Sequence, residues 1–126
     1  MTRTVEGVKD LIKSCLDNVT YAGDYIISNY NDRCVMFSLS EHKPQIVIHF
    51  FIKLNREVTV DDILLINRLN ANNTLGSHII DTKANCYFFT ASQFLWEEIS
   101  KEHFFSLLEY ISNEVDSFIA EFDTKE

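Results

Sequence analysis

The chain has a single proline and three glycines in 126 residues, and its three cysteines are odd in number and far apart. So little proline and glycine, beside ten Phe, five Tyr and one Trp, excludes a long flexible linker and predicts one ordered domain over residues 1–126. A chain of this length buries about two thirds of its unfolded surface in one core. No apolar run approaches the roughly 20 residues of a membrane-spanning helix. The opening segment MTRTVEGVKDLIKSCLDN also lacks the continuous apolar centre of a secretion signal. Cytoplasmic residence is therefore expected, with Cys15, Cys34 and Cys86 unbridged and acting as small apolar side chains.

Basic charge is scarce as well. Eleven Lys and Arg stand against 19 Asp and Glu, a formal net charge of −8. Phosphate backbones need clustered Lys and Arg to displace their counterions, and no such cluster occurs, so nucleic acid is not expected as a ligand. No helix combines a basic face with an apolar one, which excludes an anionic membrane surface on the same ground.

The patterns that carry catalysis are missing too. His42, His49, His78 and His103 never stand at metal-ligand spacing from one another or from a cysteine, so no metal is expected. There is no glycine-rich phosphate loop and no G-x-S-x-G setting for a nucleophile. Glu97, Glu98, Glu102 and His103 gather around a helix start, where compensation of the helix dipole accounts for the carboxylates. The reading is of a protein that is not an enzyme and has no catalytic residues and no cofactor.

What is present is a strong pattern of secondary structure. Residues 59–76, TVDDILLINRLNANNTLG, predict a helix capped by Thr59, with Asp61 and Asp62 in the first turn. Ile63, Leu64, Ile66 and Leu69 follow at helical spacing, and Asn72, Asn73 and Gly76 act as stop signals. Val5, Val8, Leu11, Ile12, Cys15 and Leu16 predict a first helix over about residues 4–18. Residues 25–30, 34–40 and 45–53 predict three strands joined by short turns, hence an antiparallel meander. Residues 77–82 and 86–91 predict a hairpin across Lys83-Ala84-Asn85. Ser100 caps a last helix whose apolar stripe runs from Phe104 through Leu108, Ile111, Val115 and Phe118 to Phe122. The order α-β-β-β-α-β-β-α makes an α+β fold, an antiparallel sheet of about five strands packed against helices.

This order, with Leu65-Ile66-Asn67-Arg68-Leu69-Asn70 in the middle helix, the hairpin over residues 76–91 and the long helix over residues 98–122, resembles the YbjN-like family and its type III secretion chaperone fold. The resemblance implies a small bacterial cytoplasmic protein, often a homodimer, that binds a polypeptide partner in a chaperone-like or regulatory role.

Six residues stand out as candidates for protein binding. Phe94, Leu95 and Trp96 fall in a connection where polar residues are the norm, and they act either as core or as an exposed anchor. Asn67 and Asn70 share a helical face, where their amides bond either a partner strand or the local backbone. Phe51 is one of the paired aromatics Phe50-Phe51 and Phe88-Phe89, each pair placing one ring on each face of a strand. Helices on only one side of the sheet would leave one ring of each pair for a second subunit or a partner. The alternative to a protein-binding module is a small-molecule sensor or an enzyme with an aromatic pocket between sheet and helices.

Overall fold

The computed structural model describes residues 5–23, 25–40, 43–72, 75–94 and 100–123. In chain order the elements are α1 (Val5–Cys15), β1 (Thr20–Ala22), β2 (Tyr25–Tyr30), β3 (Arg33–Ser40), β4 (Lys43–Lys53), α2 (Val60–Ala71), β5 (Gly76–Asp81), β6 (Cys86–Phe94) and α3 (Lys101–Asp123). The strands form one antiparallel sheet in the order β1-β2-β3-β4-β6-β5. The fold is α+β with six strands rather than five, because β1 adds to the edge of the expected meander. Thr20, Tyr21 and Ala22 are all exposed, so no alternation of apolar and polar residues marks β1. It exists by pairing with Tyr25, Ile26 and Ile27 of β2.

The turns follow from their residues. Asn31 and Asp32, both at positive φ, form the tight connection between β2 and β3. In the β5–β6 turn, the Asp81 carboxylate accepts the backbone N–H groups of Lys83 and Ala84. Asn85 takes a positive φ there, and its amide donates to the Arg56 carbonyl at 2.9 Å, tying this turn to the connection after β4.

The core lies between one face of the sheet and the three helices. Ile26, Val35, Phe37, Ile48, Phe50, Tyr87 and Phe89 from the strands are buried against Val8 and Ile12 of α1, Leu65 and Ile66 of α2, and the α3 stripe. Helix α3 runs 23 residues, about 35 Å. The Ser100 side chain caps it by accepting the His103 N–H at 3.0 Å. Phe104, Leu108, Ile111, Val115 and Phe118 are each fully buried, and Phe118 stacks on Tyr87 at 3.9 Å between ring centroids.

Helix α2 is rotated relative to the stripe its spacing suggests. Ile66 is buried and Leu69 half-buried, but Ile63 and Leu64 face out, at 39% and 58% exposed, and the inward positions are Asp62, Leu65, Ile66 and Leu69. The cause is Arg56, six residues before Asp62, in the loop that enters the helix. Its guanidinium grips the Asp62 carboxylate with two bonds of 2.8 and 3.0 Å, a bidentate fork. The same carboxylate accepts the Thr59 N–H and hydroxyl, closing the helix start. Arg56 also donates to the Phe122 carbonyl at 2.9 Å and lies 3.6 Å over the Phe122 ring, which fastens the end of α3 to the start of α2.

The Arg56 fork holds the Asp62 carboxyl down at about 2, against the burial that would raise it. A carboxyl lowered on folding stabilises the native state fully above its ordinary value of 3.8, and that contribution is lost as pH falls toward about 2. Arg56→Ala leaves a buried carboxylate without its counter-charge and is expected to cost about 3 kcal/mol. Denaturant unfolding at pH 7 measures this. Adding Asp62→Ala to Arg56→Ala should restore part of the loss, because the two residues act as one unit.

Candidate functional site

Strand alternation sorts the sheet into two faces. The helix face is the one described above. The opposite face carries a cross-strand row of Asn29, Cys34, Phe51, Phe88 and Ile79, and beside it a row of Ile27, Met36, His49, Thr90 and Ser77. None of these side chains belongs to the core, and no helix among the described residues contributes to that face.

The paired aromatics divide as their spacing predicts. Phe50 and Phe89 are fully buried on the helix side. Phe51 is 41% exposed on the other, with Phe88 half-buried beside it and in edge contact with the His49 ring. Partial burial lowers the affinity of His49 for a proton, so the ring at the middle of this face is neutral at pH 7. Among the described side chains, the only charged groups on the face are Lys53 and Asp81, both in the row through Cys86 at one end of the sheet. Phe51 is set among the half-buried Ile27, Met36, Ile79 and Phe88, with Cys34, His49, Ser77 and Thr90 as polar members of the face.

The asparagines of α2 separate. Asn67 is exposed beside Ile63 and Leu64. Asn70 bonds the backbone of His78 twice, its amide donating to the carbonyl at 2.9 Å and its oxygen accepting the N–H at 2.7 Å. Both groups of His78 therefore point away from β6, and Asn70 closes the outer edge of β5 at that residue. Gly76 opens β5 rather than ending a helix. A Cβ there would strike the Thr90 carbonyl and the Phe89 ring, so only glycine lets the edge strand lie this close to β6.

Leu95 and Trp96 lie outside the described residues, and Phe94 is described only as the last residue of β6, paired with Gln45. Cys15, Cys34 and Cys86 are free thiols.

One polar cluster inside the core was not singled out by its sequence. The His78 ring is fully buried, with Nδ1 2.8 Å from the Tyr87 hydroxyl and Nε2 3.1 Å from a Glu114 oxygen. Its partners stand nine and 36 residues away, so no short spacing signals it.

The role of Asn70 gives a direct test. Asn70→Asp keeps the acceptor for the His78 N–H but cannot donate to the carbonyl, and it adds charge at the strand edge. It should lower stability by about 1–2 kcal/mol in chemical denaturation, whereas Asn67→Asp, on the exposed face, should change it by less than about 0.5 kcal/mol.

No protein-family model matches the chain. No curated protein matches it by sequence. Solved structures do match. The chain is similar to YbjN of E. coli, described as a candidate transcription regulator, with a TM-score of 0.73 at 8% identity over 98% of this chain and 94% of that one. A protein of uncharacterized role from Methanothermobacter thermautotrophicus gives a TM-score of 0.74 at 13% identity, covering 95% and 96% of the two chains. The HopA1-SchA chaperone-effector complex gives 0.54 at 13% identity, covering 82% and 86%. At these identities the likeness concerns architecture, and the chain has the YbjN-like, chaperone-like fold expected from the order of its elements.

Proposed function

We propose that this protein is a non-enzymatic interaction module, chaperone-like or regulatory, that works in the cytoplasm as a homodimer and binds a polypeptide partner. The observation that carries the reading is the sheet face to which no helix among the described residues contributes. It presents Phe51, Phe88, Ile79 and Met36 and is almost without charge on a strongly acidic chain. Two −8 subunits, or one subunit and a partner, can meet there without opposing like charges. The chaperone-effector complex among the structural neighbours supports a polypeptide as the partner class. Asn67, beside the exposed Ile63 and Leu64, supplies a second polar-and-apolar contact, and Asn70 holds the strand edge next to it. Phe94, the last residue of β6, is proposed as an anchor together with Leu95 and Trp96.

Light scattering across micromolar concentrations should give a mass near twice 14.7 kDa. Phe51→Glu should shift the protein toward monomer while changing unfolding stability by no more than about 1 kcal/mol, since that ring is not core. A partner recovered by affinity purification with the native chain should be lost with Phe51→Glu. Trp96 is the single tryptophan, so its fluorescence reports directly on whether the anchor becomes shielded when the partner binds. A monomer at every concentration, together with a partner indifferent to Phe51, would overturn the assignment of this face.

A further inference from the structure

The Tyr87–His78–Glu114 cluster plays no part in the proposed contact face, lying on the opposite side of the sheet. Its hydrogen bonds have one consistent solution. A carboxylate only accepts, so Nε2 of His78 carries the proton and donates to Glu114. Nδ1 then has its lone pair free and accepts the Tyr87 hydroxyl. All three groups are satisfied with the imidazole neutral.

A second proton on the ring breaks this arrangement. Nδ1 becomes a donor, the Tyr87 hydroxyl must turn to accept, and its own hydrogen loses the partner it had. Phe118 stacks flat on Tyr87, and Phe89 meets His78 edge-on at 4.8 Å between centroids. The same residue anchors its strand from the other side, because the His78 backbone is held by Asn70 of α2. The charged and titratable groups around the ring are few. Glu114 faces it from α3, and Tyr87 faces it from β6. Arg33 of β3 acts on Tyr87 from farther off and is paired with Asp116. Tyr110 lies near Glu114. From α2 the contact is the uncharged Asn70 amide.

We propose that His78 is an acid-operated latch: neutral, it locks edge strand β5 to β6 and α3 and, through Asn70, to α2; protonated, it releases β5 and α2 as a unit while the rest of the sheet stays folded. Burial disfavours the imidazolium more than Glu114 favours it, in keeping with a ring that resists protonation while the latch is closed. A histidine whose proton affinity is lowered on folding contributes stability that is complete above its ordinary value of 6.5. That stability is lost progressively as pH falls below 6.5 toward the native value. The open form gains up to about tenfold in population per unit of pH across that range.

Native-state hydrogen exchange of the full chain between pH 7.5 and 5.5, corrected for intrinsic rates, reads this out. Opening over residues 60–81 should rise steeply below pH 6.5, while β3 and β4 keep their protection. His78→Gln should abolish the pH dependence, and His49→Gln should leave it intact. Tyr87→Phe leaves the Nδ1–H of the charged ring without an acceptor, so it should keep or steepen the slope, and so tests the latch if His78→Gln fails to fold. Three results would overturn the proposal: a flat wild-type profile, a slope that Tyr87→Phe removes, or exchange that rises equally in β3 and β4.

Discussion

The fork between Arg56 and Asp62 is the interaction on which the arrangement of this sheet depends. Strand β4 pairs with β6, not with β5, so the chain must leave β4, pass through α2 and return to the far side of a strand it has not yet made. The crossing works only if α2 starts at a fixed point and angle. Arg56 supplies that point, because its guanidinium joins the loop to the first turn of α2 and to the last turn of α3. The buried carboxylate sets the angle. With Asp62 turned inward, Leu65, Ile66 and Leu69 follow it into the core, and Asn70 arrives beside β5. Arginine suits this position because its planar fork bonds a carboxylate and a carbonyl at once while its flat face covers Phe122.

Much of the fold was legible wherever one periodicity dominated a segment. Helix α3 is the clearest instance, since Ser100 marks its start and the buried residues Phe104, Leu108, Ile111, Val115, Phe118 and Phe122 obey one spacing, with Phe105 and Tyr110 outside it. The doubled aromatics were legible for the same reason: adjacent residues on a strand cannot share a face, so Phe50 and Phe51 had to part. Strand β1 was not legible, because three exposed residues carry no pattern and owe their conformation to a neighbour. The rotation of α2 was hidden too. Val60, Ile63 and Leu64 look like core by hydropathy, and the deciding contact is an ion pair that reaches back into a loop. Asp62 reads in sequence as a dipole-compensating carboxylate, which is true but is the smaller part of its role.

The candidate site shows the same division. That some face would be left uncovered followed from counting aromatics against helices. That its charge is confined to one end required the register, because Lys53 and Asp81 are brought into one row only by Cys86 of the strand between them. The asparagines of α2 were recognisable as a pair on one face, yet their fates differ by one turn of helix. Asn70 meets a strand edge, while Asn67 stands exposed. The polar cluster at His78 lay beyond any short-range pattern, since it is assembled from a strand, its hairpin partner and a distant helix.

Gly76 carries a consequence for how such chains diverge. Its lack of a side chain is fixed by the Thr90 carbonyl and the Phe89 ring, neither of which can withdraw without parting β5 from β6. Structures that share this architecture do so at only 8 to 13% identity. A position constrained by backbone contact, and not by the chemistry of a side chain, is the kind that survives such drift. It offers a landmark from which the strand edges of distant sequences can be brought into register.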